Sequence, residues 1–259
     1  MLKKILFGVV ALIVLLVAVI LFRTFTYGGA ATGERVELPP VPEVSADRAA
    51  SHLSEAIQFR TITVASGDPR VGQEGPWLEL HDWLETTYPA AHAAMSRELV
   101  PGTLSLLYTW EGSDPSLDPL LLMAHQDVVP VNIGTEDDWT GAPFAGEIVD
   151  GYVYGRGALD DKGSLVALME AADALAANEF QPKRTVLIMF GHDEEVLGNG
   201  AEAGIALLKS RGISPVMALD EGFAIIDPSP LTGKPMAYIG VSEKGYLTLT
   251  LTALAEGGH

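Results

Sequence analysis

His125, Asp160, Glu194, Glu195, Asp220 and Glu221 are the residues of this chain whose types and placement could do chemistry. The segments LLLMAHQD (120–127), TVLIMFGHDEE (185–195) and PVMALDE (215–221) each carry an apolar run straight into a metal-binding side chain. Uninterrupted runs of this length suit strands buried on both faces of a parallel sheet, and in such sheets ligands bind just beyond the carboxyl ends. GRGALDDKG (155–163) adds Asp160 and Asp161 in a glycine-rich turn ahead of a helical pattern. One imidazole and several carboxylates, in a chain with no cysteine, make the ligand set of a hydrolytic zinc site with open coordination positions.

Each motif also has a purely structural explanation. A lone histidine is most often a hydrogen-bonded core or surface residue, but in His125-Gln126-Asp127 the aspartate can fix the tautomer and orientation of a ligating imidazole. Asp160 and Asp161 could cap the helix starting near Gly163, yet capping needs only one of them. HDEE (192–195) sets three carboxylates in a row. Like charges that close repel unless a cation neutralises them, the alternative being a solvated acidic loop. Asp220-Glu221 alone reads as an ordinary strand-end turn. The stretch Gly198 to Ala203 fits the G-x-G-x-x-A form of a dinucleotide loop, but it lies too far past 185–190 and follows three acids that would repel a pyrophosphate. The chain has no Walker A loop, no H-E-x-x-H helix and no G-x-S-x-G elbow.

The elements that must position these residues alternate. Strands are expected at 104–109, 119–124, 185–190 and 215–219, with helices at 163–177 and 200–210 between them. In the first of these helices Leu165, Leu168, Met169, Ala172 and Leu175 recur at three- and four-residue steps, a stripe that packs on a sheet. Two earlier helices are expected over 46–59, with Ala49, Leu53, Ala56 and Ile57 on one face, and over 76–88, with Trp77, Leu80, Leu84 and Tyr88. The class is α/β, a mostly parallel sheet flanked by helices. After Pro235 the pattern turns to strands, 237–241 and 245–254, as at the start of a smaller α+β domain.

Composition bounds the partners. Lys and Arg total 16 against 34 Asp and Glu, for a net charge of −18. A surface so acidic repels nucleic acid and anionic lipid, and neither is expected as a partner. Lys3 and Lys4 precede Ile5 to Phe22, eighteen residues without a charge, close to the length that crosses a bilayer. A signal anchor is expected over 1–23, N-terminus in the cytoplasm and the remainder on the exported side, whether periplasmic, lumenal or extracellular. The alternative is a signal peptide cleaved near GGAATG (28–33), which would leave the protein secreted. A Gly- and Pro-rich linker follows over 24–44, then a catalytic domain over 45–240 and the start of a further domain over 241–259.

In order, MAHQDVVPV (123–131), W-x-x-x-PF-x-G-x-x-x-DG-x-x-YGRGALDDKG (139–163), RTVLIMFGHDEEVLG (184–198) and ALDEG (218–222) resemble metallopeptidase family twenty. The wording is most similar to its Gly-X carboxypeptidase and N-fatty-acyl-amino-acid hydrolase branch, and the likeness runs from about Ser45 to the last residue. The resemblance implies two zinc ions bridged by Asp160, with His125 on one and Glu195 on the other. It implies Glu194 as general base and Asp127 as support for His125. It leaves the last carboxylate ligand open between Asp220 and Glu221, with Asp220 preferred, and implies a cis Asp160–Asp161 peptide. His259 resembles a histidine of the smaller domain that reaches across a homodimer to stabilise the oxyanion. A further zinc-binding histidine and most of the smaller domain have no counterpart here, and His52, His81 and His92 do not substitute. An N-terminal fragment with an incomplete, inactive site is therefore expected.

The function expected of the full-length protein is zinc-dependent hydrolysis of an amide bond, releasing a C-terminal amino acid from a small peptide or N-acyl amino acid. A two-metal phosphoesterase and a non-catalytic binding scaffold are the alternatives.

Overall fold

The computed structural model describes residues 2–26, 41–222, 225–241, 245, 247 and 249–253. His259 lies outside them. The chain divides into two compact units, Met1–Val41 and Pro42–His259. The described part of the first unit is one helix, α1 (Leu2–Thr26). Its stretch Lys3–Thr26 is long and apolar enough to cross a membrane, with a mean hydropathy of 3.5, and a signal sequence would have the same character.

The second unit opens with α2 (Ala46–Gln58), capped by the Ser45 hydroxyl, which accepts from the Arg48 N–H. Next come α3 (Gly75–Thr87), α4 (Pro89–Ala94), β1 (Ser96–Leu99), β2 (Leu106–Trp110) and β3 (Leu120–His125). A hairpin of β4 (Glu147–Val149) and β5 (Tyr152–Tyr154) interrupts the long loop before α5 (Lys162–Ala177). The unit continues with β6 (Val186–Gly191), α6 (Gly200–Ser210) and β7 (Met217–Leu219). A two-residue pair, β8 (Ile225–Ile226) with β9 (Met236–Ala237), ends the regular structure among the described residues. The described residues of 245–254 are not in a strand.

Five strands form one sheet in the order β1-β2-β6-β3-β7. The β3–β6 and β3–β7 pairings are parallel, whereas β1–β2 and β2–β6 are antiparallel. The sheet is thus mixed, not mostly parallel. An apolar run reports burial on two faces but says nothing of direction, and here the short Val100–Ser105 link folds β1 back on β2. The strand β1 itself, Ser-Arg-Glu-Leu at the sheet edge, has no apolar run to announce it.

The two-sided burial holds for the inner strands. Leu106, Tyr108 and Trp110 of β2, Ala124 of β3 and Ile188 and Phe190 of β6 pack with Ala56, Leu80, Leu84, Ala91, Leu165, Val166, Met169 and Ala172 of α2 to α5. The alternate residues Leu107, Leu121, Leu187 and Met189 pack on the other face against Leu208 of α6. Strand β7 departs from this pattern: it lies at the edge, and Met217 and Leu219 are each 53% exposed. A polar clasp ties the helices on the first face together. Glu170 of α5 accepts from Arg48 Nε (2.9 Å) and meets His52 of α2, while Asp173 accepts from the Ala90 and Ala91 N–H groups at the start of α4.

Because β6 is packed on both faces, Phe190→Ala should cost about 3–5 kcal/mol of unfolding free energy in a urea titration. A loss under about 1 kcal/mol would mean that the centre of the sheet is not the core.

Candidate metal centre

Register places the site. In the β3–β6 ladder His125 stands opposite Gly191, so both strands end level and HDEE begins where the histidine projects. Leu122 of β3 stands opposite Leu219 of β7, so Asp220 and Glu221 leave the sheet beside the last residues of β3. Asp160 and Asp161 arrive from the turn before α5, joined by a cis peptide.

The His125 imidazole is buried, and its two nitrogens face different partners. Nδ1 lies 3.0 Å from the Asp127 carbonyl and 3.4 Å from Asp127 Oδ1. Both are acceptors, so Nδ1 carries a hydrogen and Nε2 is the nitrogen left to face a metal. Nε2 lies 2.9 Å from Asp160 Oδ1, and 3.9 Å from both Glu194 Oε2 and Glu221 Oε1. Ligand atoms of His125, Asp160 and Glu221 fall within 4.8 Å of one another. Around a tetrahedral zinc, ligand atoms about 2.0–2.2 Å from the ion stand about 3.3–3.5 Å apart, which the observed separations bracket. The residues present therefore fit a divalent metal.

Asp127 is fully buried and accepts from the N–H groups of Glu194 (3.0 Å, Oδ1) and Glu195 (3.1 Å, Oδ2) and from the Thr63 hydroxyl (2.7 Å, Oδ2). It thus holds the histidine and the Glu194–Glu195 turn together. Burial alone would raise its carboxyl, but the bonds from His125 and Thr63 and the nearby imidazole outweigh it and keep the carboxyl below its usual range. Asp161 is also fully buried. It stands at the N-cap position of α5 without a side-chain capping bond, and its Oδ2 accepts instead from the His125 N–H (3.2 Å). Capping does not explain it.

The remaining acids are under strain from one another. Burial, then the charges of Asp161 and Asp160, pushes Glu221 up to about 7, with His125 opposing. Burial also raises Glu194 and Glu195, with the Asp127 and Asp160 charges adding to it. The imidazole answers them: burial favours its neutral form, but Asp127, Asp161 and Asp160 together push it up to about 10. Without a metal, the proton on Nε2 serves as the cluster's local cation.

Of the residues singled out from sequence, the structure brings His125, Asp160, Glu194 and Glu221 around one imidazole nitrogen. Glu195 is held beside them through its backbone. Asp220 is exposed, and its Oδ1 accepts from the Glu221 N–H (3.0 Å), so Glu221 rather than Asp220 reaches His125. The first acid of HDEE turns away: Asp193 accepts from Asn199 N–H (2.8 Å) and Gly200 N–H (2.9 Å), closing the N-terminus of α6. A Cβ on Gly198 would lie 1.9 Å from Asp193 Oδ2, so the glycines of this turn make room for the chain's own carboxylate, not for a pyrophosphate.

The other described histidines have structural partners. His81 Nε2 meets Gln126 Oε1 (2.6 Å), His92 Nε2 meets the Tyr108 hydroxyl (3.2 Å), and His192 Nδ1 meets the Ser105 hydroxyl (3.0 Å). Two contributors escape a sequence reading. Thr63 reaches Asp127 across 64 residues, and buried Lys162 donates to the carbonyls of Ala56 and Phe59. Burial pulls the Lys162 ammonium down to about 7 against the attraction of Asp127.

Fold and cluster define a class: an α/β protein whose strand ends gather a histidine and carboxylates fit for a metal. The model of Peptidase family M20/M25/M40 matches residues 121–248, and the chain belongs to that family. It is 38% identical over 214 residues to the probable carboxypeptidase S-like 2 of Dictyostelium discoideum, covering 81% of this chain and 41% of that protein. It is 41% identical over 209 residues to the human N-fatty-acyl-amino acid synthase/hydrolase PM20D1, covering 80% and 40%. With carboxypeptidase S of Saccharomyces cerevisiae the figures are 39% over 218 residues, 80% and 37%. The chain therefore spans about two fifths of the length of these curated relatives. In fold it is similar to human carnosine dipeptidase 1, with a TM-score of 0.57 at 23% identity over 71% of this chain and 40% of that one. The metallo-carboxypeptidase Sso-CP2 of Sulfolobus solfataricus gives 0.53 at 24% identity over 70% and 38%.

A metal held by this cluster would need a bare Nε2 and a bare Glu221 carboxylate, whereas the neighbouring acids push His125 up to about 10 and burial pushes Glu221 up to about 7. Zinc added at about pH 7.5 should therefore displace at least one proton, and its apparent affinity should climb with pH, about tenfold per unit for each proton displaced. Calorimetry in buffers of different ionisation heat checks this, and binding with no proton release would contradict it.

Proposed function

We propose that the full-length protein is a zinc-dependent amidohydrolase that releases a C-terminal amino acid from small peptides or N-acyl amino acids. One observation carries the reading: a buried imidazole with its free nitrogen turned to Asp160, Glu194 and Glu221, all three at least partly open to solvent. The printed names of the relatives, carboxypeptidase S and N-fatty-acyl-amino acid synthase/hydrolase, support the substrate class.

In this reading His125, Asp160, Glu195 and Glu221 would hold two zinc ions. Glu221 takes the place that Asp220 would otherwise fill, since it is the one near His125. When bound, the metal supplies Lewis-acid polarisation of the amide carbonyl and acidifies a water. Glu194 is the general base. Its side chain is 49% exposed, open to an incoming substrate, and its raised carboxyl suits it to take the water's proton and pass it to the leaving amine. Asp127 keeps the histidine tautomer fixed and stays ionised through its hydrogen bonds. His259 completes the reading as a donor to the developing oxyanion from the partner protomer of a homodimer. Residues 45–240 form the catalytic domain and 241–259 begin the dimerisation domain. The segment 1–23 anchors the protein, or is cleaved from it, with 24–44 as linker and catalysis on the exported side.

In the full-length protein, Glu194→Gln should keep its zinc and lose at least about 100-fold in kcat against N-acyl amino acids and dipeptides. Unchanged hydrolysis would refute the role of Glu194, and phosphatase activity without amidase activity would refute the reaction class.

A further inference from the structure

A short strap runs from the end of α2 alongside residues 126–128, next to the candidate metal centre. Lys162 fixes its start by donating to the Ala56 and Phe59 carbonyls. Ile62 then forms a parallel bridge with Val128, within which Val128 N–H donates to Thr61 O (2.9 Å) and Thr63 N–H to Val128 O (3.2 Å). The Thr61 hydroxyl adds a bond to Gln126 O (2.5 Å). Thr61 and Thr63 are 0% and 1% exposed, and the alternation of extended backbone turns both toward the His125–Asp127 segment and Ile62 away from it. The strap is thus stitched to residues 126–128 without any help from the Thr63 side chain, and the Thr63 hydroxyl donates instead to Asp127 Oδ2 (2.7 Å).

Asp127 has much to hold. Its Oδ1 takes the Glu194 N–H and lies 3.4 Å from His125 Nδ1, and its Oδ2 takes the Glu195 N–H. The torsion that sets a carboxylate plane is soft, so donors from one side alone leave it free to turn. The Glu194 and Glu195 donors both come from one short turn, Glu194–Val196. Thr63 approaches from a separate element and is the side-chain hydroxyl that locks the plane.

We propose that Thr63 is a positioning residue of the centre: its hydroxyl sets the Asp127 carboxylate, which in turn aims His125 Nε2 and places Glu194. It touches no metal or substrate and acts through Asp127 alone. The inference rests on the hydrolase reading for its effect on rate, but its effect on metal binding stands apart from that reading. Groups that orient metal ligands typically change affinity or activity 10- to 100-fold when removed.

The test uses the full-length protein and compares removal of the hydroxyl in two backgrounds, Thr63→Val against wild type and Thr63→Ala against Thr63→Ser. Zinc affinity is measured by competition with a chelator, and kcat and KM are measured separately. Loss of the hydroxyl should weaken zinc binding about 10- to 100-fold and lower kcat, while KM moves less than about threefold and Thr63→Ser stays near wild type. Should Thr63→Val fail to fold, the Ser and Ala pair, equal in size apart from the hydroxyl, decides alone. Equal zinc affinity in Ser and Ala variants would overturn the proposal, as would a Thr63→Ser variant as impaired as Thr63→Val, which would assign the effect to the methyl group. A wild-type protein that binds zinc but cleaves no amide would sink the hydrolase reading and leave the zinc comparison to judge Thr63.

Discussion

Negative charge gathered at one point is the constraint to which the rest of this structure answers. Asp127, Asp160, Asp161, Glu194 and Glu221 all approach His125, and burial makes the ionised form more costly for Asp127, Asp161, Glu194 and Glu221. Some of that charge is met within the chain. Asp127 is satisfied by two backbone donors, a hydroxyl and the imidazole, and Asp193 by the first N–H groups of α6. The raised carboxyls of Asp161, Glu194, Glu195 and Glu221 mark the part that is not. A divalent cation would supply the missing counter-charge, which the protonated imidazole otherwise provides.

The sheet exists, from the site's point of view, to hold these groups at fixed separations. Strands β3 and β6 are packed on both faces, by α2 to α5 on one side and α6 on the other, so their level ends cannot drift apart. Asp127 then bonds across from the end of one strand to the turn after the other. A candidate ligand and a candidate base that lie 69 residues apart in sequence, 125 and 194, thereby behave as one piece of structure.

Much of this was legible in the residues because apolar runs that stop abruptly at polar ones mark strand ends. The runs before His125 and Glu194 read correctly as inner strands, and the stripe Leu165 to Leu175 as a helix packed on them. Direction and edges were not legible. Ser96–Leu99 pairs through its backbone at the sheet edge and leaves no hydrophobic trace, so β1 went unseen and with it the antiparallel setting of β2. The choice between Asp220 and Glu221 is a matter of which neighbour faces His125, and that depends on the β3–β7 register. HDEE looked like three equivalent acids, yet helix α6 claims the first of them. Thr63 had no signal at all, since a single hydroxyl bond to a residue 64 positions away has no local pattern.

The charge balance at His125 can be tested by diffraction from the full-length protein at the zinc absorption edge. Anomalous density bonded to His125 Nε2, Asp160 and Glu221, with Asp127 still holding the Glu194–Glu195 turn, is the expected result. Density coordinated elsewhere, or an Asp160 turned away from a metal-free His125, would contradict it.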